Sequence, residues 1–307
     1  VYKRQVEVLP MGAKRRQFWA DFYFSNGPKA IETDGEASVI PTLETLLDSH
    51  IMTSEKSGHV DLVGAGPGDP ELLTLKARTA LDKADVVIHD RLVTPDILEL
   101  ARREAIIIDA GKKGFGPAMP QADIDALIVG HALKGLHVVR LKAGDPTVFG
   151  RLDEEIDACE AAGVSWRIVP GITAASAAVA NIGQSLTKRN RNSAVRFITG
   201  HDTKGYADHD WKTLAQSGAV AAIYMGKSSA RFIQGRLLMH GADPATPVTI
   251  IENVSRTNQQ IIATTLAELE PTLTRANLQG PAISFLGLAP RAALDVADTL
   301  IPEKEFA

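Results

Sequence analysis

From His59 onward the chain alternates short apolar runs with amphipathic stretches of helical period. VDLVGAG reads as a buried strand, PELLTLKARTALDKA as a helix, and ADVVIHD as a strand. TPDILELARRE follows as a helix, with Thr94 as N-cap and Pro95 at the first helical position. AIIIDA, LHVVRLKAGD and WRIVPG are further strands, separated by the helices PQADIDALIVGHALKG and DEEIDACEAAG. Short apolar strands spaced by helices predict a parallel sheet covered on both faces.

A second series begins after NIGQSLTKRNRNS (Asn181–Ser193), a polar and basic connector. AVRFITG, AVAAIYMG, TPVTIIEN, QQIIATT and GPAISFLGLA read as strands; DWKTLAQSG, SARFIQGRLLMHG and LAELEPTLTRA read as helices. The strands at Thr246–Asn253 and Gln259–Thr265 have no helix between them, so this sheet is expected to be partly antiparallel. Residues 1–57 differ from the rest. GAKRRQFWADFYF (Gly12–Phe24) and IPTLETLLDSHI (Ile40–Ile51) have helical spacing, SNGPKAIETDGEAS between them reads as a loop, and TSEKSGH as a linker. The expected class is α/β: a helical arm over 1–57, an α/β domain over 58–185 with a mostly parallel sheet, and a second over 186–307 with a mixed sheet, the active site lying in the cleft between the two.

Composition narrows the function classes. With 45% hydrophobic and 23% charged residues, the 307-residue chain can build an ordinary core. A net charge of -4 gives no nucleic-acid or membrane signal. No apolar stretch reaches the roughly 18–20 residues that span a bilayer, and the opening VYKRQVEVLPMGAKRRQ lacks a signal-peptide pattern. Cys159 is the one cysteine, which excludes an internal disulfide and a cysteine metal cluster and fits a cytoplasmic location. It lies within a helix and reads as a core residue. Without an initiator Met, the chain reads as a piece of a longer protein.

The candidate chemistry starts at GAGPGDP (Gly64–Pro70). Gly64 and Gly66 fit a dinucleotide fingerprint, but the third position is Asp69 and Gly68 comes one residue early. Pro67 has no N–H to offer a pyrophosphate, and Asp69 places negative charge there. The loop suits close backbone approach to a ligand that is not anionic at that point; a sulfonium nucleoside such as S-adenosylmethionine meets that demand, and so does a simple packing turn. Asp90, ending VVIHD, pulls toward a dinucleotide, because it stands where such a domain keeps its ribose acid. Further strand ends carry HDRLV, GKKG, LKAGDPTVFGR and VPGITAASAA, and in an open parallel sheet these ends bind ligands. His201, Asp202, His209 and Asp210 in GHDTKGYADHD have irregular spacing, so a loop is favoured there and no metal is expected.

Taken in order, GAGPGDPELLTLKA, DRLV, VVRLKAGDPTVFGR, VPGITAA, SLTKR, TGHD, YMG and PAISFLG resemble the uroporphyrinogen-III C-methyltransferases of the tetrapyrrole methylase family. The resemblance covers about His59 to Pro302. The preceding GAKRRQFWADFYF resembles the dimerisation segment that comes before this module in bifunctional siroheme synthase.

That resemblance implies the tetrapyrrole methylase fold, S-adenosylmethionine as cofactor, and methylation of uroporphyrinogen III twice, through precorrin-1 to precorrin-2, by a homodimer in siroheme or cobalamin biosynthesis. Other outcomes are an NAD-dependent precorrin-2 dehydrogenase and ferrochelatase activity of the full-length protein, or methylation of another precorrin. By motif match the cofactor residues are Pro67, Ala143, Gly144, Asp145, Val148, Thr173, Ala174, Met225 and Val254. Asp90 matches the proposed proton acceptor and Lys112 the proton donor or charge partner. Arg91, Lys112, Lys113, Lys188, Arg189 and Arg191 are candidates for the substrate's carboxylates. Two positions depart from the family pattern: Ala143 and Val254 stand where glycine is usual. A β-branched residue resists positive φ, so Val254 is expected to be extended and to offer its main chain.

Overall fold

The computed structural model describes residues 13–52, 58–111, 119–202 and 205–291. The arm is helical: α1 (Ala13–Asp21), a π-helical turn at Phe22–Asn26, α2 (Gly27–Asp34) and α3 (Val39–Met52). Phe18 and Leu47 are fully buried against Trp19, Leu43 and Leu46. The stretch expected to be a loop thus contains α2. Its Pro28 sits in the first turn, where a missing N–H costs nothing, and Gly35 at φ 76° ends it. Gly27 is also needed there, since a Cβ would lie 2.8 Å from the Phe22 carbonyl oxygen.

The parallel sheet holds β1 (His59–Gly64), β2 (Val86–His89), β3 (Ile106–Asp109), β4 (His137–Lys142) and β5 (Ser165–Val169), with α4 (Leu75–Lys83), α5 (Pro95–Leu98), α6 (Gln121–Ala132) and α7 (Leu152–Ala161) in the crossovers. The strand order is β3-β2-β4-β1-β5, all parallel. Both faces are covered, as near-continuous apolar strands require. Val63, Val87, Val139 and Leu141 pack with Ala77, Leu81 and Ile97 on one face. Val60, Leu62, Ile88 and Val138 pack with Ile124, Ile128 and Cys159 on the other. Burial pushes the Cys159 thiol up to about 11, as befits a core residue. The helix expected over TPDILELARRE is a single turn, α5, that continues in i→i+3 bonds from Leu100 to Ile97 and from Ala101 to Leu98.

At the amino edge of this sheet Asp61 is fully buried. It accepts from His137 Nε2 at 2.7 Å and from the Arg167 guanidinium, and His59 Nε2 lies 3.3 Å away. Burial opposes its charge, but His137 and Arg167 outweigh it and bring its pKa down to about 2. A depressed carboxylate stabilises the fold above its unfolded pKa, and that contribution is lost as pH falls from about 4 toward 2. It amounts to about 2 kcal/mol. Asp61→Asn is therefore expected to lose that much stability at pH 7 and to show a flatter urea midpoint between pH 5 and pH 2 than the parent protein.

The second sheet holds β6 (Arg196–Thr199), β9 (Ala221–Tyr224), β10 (Pro247–Glu252), β11 (Gln260–Thr265) and β12 (Ala282–Leu286), with a small hairpin of β7 (His201–Asp202) and β8 (Gly205–Tyr206). Its helices are α8 (Ala174–Asn181), α9 (Trp211–Leu214), α10 (Ala230–Met239) and α11 (Leu269–Ala276). The order is β11-β10-β12-β9-β6, mixed as expected: β6 and β9 are parallel and the other pairs antiparallel. One face packs Ile223, Val248, Ile250 and Leu286 against Ile233, Leu237 and Leu269. The other packs Ala222, Ile251, Ile283 and Phe285 against the alanines of α8. The helix expected over DWKTLAQSG is the single turn α9, followed by Gly218 at φ 76°.

The described residues form two compact units. The first runs to Ala65 and resumes over Leu73–Gly171; the second takes Gly66–Leu72 and resumes at Ile172. The division thus falls before α8, whereas the sequence reading placed it at 185. The physical reason is the small side chains of Ala175, Ala177 and Ala178, which bury this helix on the second sheet. Among the described residues no helix is long and apolar enough to cross a membrane.

Candidate functional site

In the first unit the order β3-β2-β4-β1-β5 creates a crevice at the carboxyl ends of β2 and β4. The crossover leaving β2 runs outward toward β3, and that leaving β4 runs the other way, toward β5. Ligands in open α/β sheets sit at such a point. Asp90 follows β2, and its N–H bridges to the Leu141 carbonyl at 3.1 Å.

Beneath Asp90 lies a charge network that sequence reasoning missed. Arg140, only 2% exposed, donates to the Asp90 carboxylate through Nη2 and to Glu155 Oε1 through Nε at 2.8 Å. Lys142 Nζ reaches the same Glu155 oxygen at 2.8 Å. Burial opposes the Arg140 charge, but the two carboxylates outweigh burial and raise its pKa above the ordinary arginine value. Two buried cations thus face two carboxylates, and only Asp90, at 35% side-chain exposure, reaches solvent. The signal was present in VVRLK, where Arg140 and Lys142 alternate onto one face of β4. Glu155 was hidden, because Asp153 and Glu154 beside it look like ordinary first-turn acids.

Three loops converge at the neighbouring strand ends. A Cβ on Gly64 would lie 2.6 Å from Gly171 Cα and 2.7 Å from the Gly144 oxygen. Gly144 takes the left-handed conformation at φ 73°, which spares Ala143. Asp145 accepts from Gly171 N at 2.9 Å and from Thr147 N at 2.8 Å, so its carboxylate ties the loops together. Val148 closes the turn on the Asp145 carbonyl at 3.2 Å.

The second unit gathers the remaining candidates. Pro67 is buried in a loop with Gly66 at φ 70° and Gly68 at φ 147°. The loop docks on the turn after β10: Asp69 N donates to Ser255 Oγ at 3.1 Å, and the Arg256 side chain lies against Gly68. In that turn Asn253 (φ 52°) and Ser255 (φ 62°) take the left-handed conformations. Val254 between them stays out of that region, at the first central position of a turn closed by Arg256 N on the Asn253 carbonyl at 3.0 Å, with its side chain buried in the cluster on which Leu72 and Ala174 pack. The Tyr224 hydroxyl bonds Thr173 Oγ1 at 2.5 Å and accepts from Ala175 N at 3.1 Å, fixing the start of α8. Met225 follows at φ 52°, half exposed.

Of the remaining candidates, Lys112 and Lys113 lie outside the described residues. Arg91 is exposed. Lys188 and Arg189 are exposed on a turn around a hollow of about 570 Å³. Arg191 holds that turn, donating to the Ser185 and Leu186 carbonyls at 2.5 and 3.2 Å. In the His201–Asp210 stretch, His209 bonds the Thr199 carbonyl, Asp208 accepts from Trp211, and Asp210 caps α9.

This geometry does not serve a dinucleotide. β4 stands between β1 and β2, so Asp90 is two strand spacings, about 10 Å, from the end of β1. The helix after the glycine loop begins only at Leu75, and Thr74 takes its Ala77 N–H at 3.2 Å. Main chain brought close by small residues, with two carboxylates already engaged, fits a nucleoside without phosphate.

A profile described as Tetrapyrrole (Corrin/Porphyrin) Methylases matches residues 59–270. The chain belongs to the tetrapyrrole methylase family. It is 42% identical over 275 residues to a siroheme synthase of Pseudoalteromonas translucida, covering 90% of this chain and 58% of that one. It is 40% identical over 286 residues to siroheme synthase 2 of Cronobacter sakazakii, covering 93% and 61%. The chain thus spans about three-fifths of the length of these relatives. A uroporphyrin-III C-methyl transferase from Thermus thermophilus, complexed with S-adenyl homocysteine, superposes with a TM-score of 0.65 at 36% identity, over 75% of this chain and 97% of that one. Membership in this family makes the chain a methyltransferase of the tetrapyrrole methylase class.

Proposed function

We propose that this methylase is a uroporphyrinogen-III C-methyltransferase that acts twice, giving precorrin-2 through precorrin-1, and that it works as a homodimer serving siroheme formation. The observation that supports this best is the 36% identity over nearly the whole of the Thermus uroporphyrin-III enzyme. S-adenosylmethionine supplies an electrophilic methyl group on a sulfonium. This reading assigns its binding to Pro67, Ala143, Gly144, Asp145, Val148, Thr173, Ala174, Met225 and the main chain at Val254.

The substrate's pyrrole carbon is itself the nucleophile, so the protein needs no nucleophilic side chain. It must orient the ring and take up the proton that the methylated carbon's neighbourhood releases. This reading assigns that step to Asp90, whose carboxylate is held by Arg140 and partly open to solvent. Lys112 is the assigned proton donor or charge partner. Lys188 and Arg189 supply cations for the substrate's carboxylates.

The test is anaerobic incubation with uroporphyrinogen III and methyl-labelled S-adenosylmethionine. Two labels per ring are expected, with a one-label species at early times. Retention of S-adenosylhomocysteine with no transfer to uroporphyrinogen III would redirect the reading to another precorrin. Retention of NAD in place of S-adenosylhomocysteine would overturn it.

A further inference from the structure

His201 has no role in the reaction as described above, yet it sits where the second unit keeps Met225. Ser229 is fully buried, and its hydroxyl has one proton. Its Oγ lies 2.8 Å from the Gly200 carbonyl, which can only accept, so the proton goes there. The same Oγ is 2.7 Å from His201 Nδ1 and must accept from it. The Met225 carbonyl, 3.4 Å from Nδ1, is a second acceptor on the same side. Nδ1 of this ring therefore carries a proton.

The backbone around it is closely packed. Gly200 donates to the Tyr224 carbonyl at 2.7 Å. A Cβ at Gly200 would lie 2.6 Å from both the Met225 oxygen and Ser229 Oγ, so the end of β6 presses directly on the Met225–Gly226 turn. Met225 holds a left-handed conformation that a long side chain does not choose unaided. The Tyr206 ring lies against His201, centroids 5.2 Å apart.

We infer that His201 is a positioning residue: with Ser229 it clamps the Met225 carbonyl and so presents the Met225 side chain to the cofactor. The inference rests on the cofactor reading of Met225 proposed above. A donor at the Nδ1 position is what the clamp needs, and asparagine supplies one there while alanine does not.

Two measurements on the intact chain test it. Nitrogen-15 spectra of the imidazoles are expected to show His201 as the Nδ1–H tautomer; the Nε2–H tautomer overturns the clamp. Calorimetric titration with S-adenosylhomocysteine is expected to show at least a tenfold weaker Kd for His201→Ala, near-parental affinity for His201→Asn, and an unchanged KM for the tetrapyrrole in both. Equal affinity in His201→Ala and the parent overturns the inference. If the parent fails to bind S-adenosylhomocysteine, the cofactor reading falls. In that case the tautomer, with hydrogen exchange at the Met225 and Gly226 amides in His201→Ala, still decides the clamp: unchanged exchange overturns it.

Discussion

Asp90→Asn is expected to slow methyl transfer by about two to four orders of magnitude, the usual range for loss of a positioned general base. Affinity for S-adenosylhomocysteine should stay within about twofold, since the Asp90 carboxylate bonds Arg140 and takes no part in the hydrogen bonds that Asp145 makes to join the glycine loops. The change is nearly isosteric and keeps an acceptor for Arg140, while Glu155 still balances that guanidinium. The variant should therefore fold. Single-turnover transfer to uroporphyrinogen III, with calorimetric binding of S-adenosylhomocysteine alongside, separates chemistry from binding. Parental turnover in Asp90→Asn would remove the carboxylate from the mechanism. Loss of binding with unchanged single-turnover rate at saturation would assign it to the cofactor instead.

Asp90 also shows what a sequence does and does not reveal. The strand–helix alternation after His59 was legible because buried strands and amphipathic helices have different periods. The mixed character of the second sheet was legible from two strands with nothing between them. Strand order was not: it follows from how the crossovers close in space, and the ribose-acid reading of Asp90 depended on it. Helices shortened to one turn, such as Trp211–Leu214, were overestimated because periodicity does not show where i→i+3 turns take over. Val254 avoids positive φ, as its β-branched side chain predicts: Asn253 and Ser255 on either side take it up, and asparagine tolerates it best of the non-glycine residues. Loop residues such as Gly144 announced themselves by type. Arg140, Lys142 and Glu155 did not, because a buried charge inside an apolar strand has no marker except the partner it finds across the fold.

That partner relation gives the largest expected effect on stability. Arg140→Met should destabilise the chain by about 3–5 kcal/mol, the range for removing one member of a buried ion network. The methionine fills much of the volume, so the loss is electrostatic: Glu155, fully buried, keeps among the described residues Lys142 and a Gln121 amide at 3.5 Å. Urea unfolding should show a lower midpoint with an unchanged m-value. Glu155→Leu combined with Arg140→Met should recover part of the loss, because the stranded carboxylate is gone, although Lys142 then lacks its partner. Transfer activity should fall as well, since Asp90 loses the group that aims it. In an Asp90→Asn background the same Arg140→Met change should add little further loss of activity, because both substitutions act on one carboxylate. Full additivity of the two activity losses would show that Arg140 serves the reaction by a route other than Asp90. An Arg140→Met chain as stable as the parent would show that the network contributes nothing net to the fold.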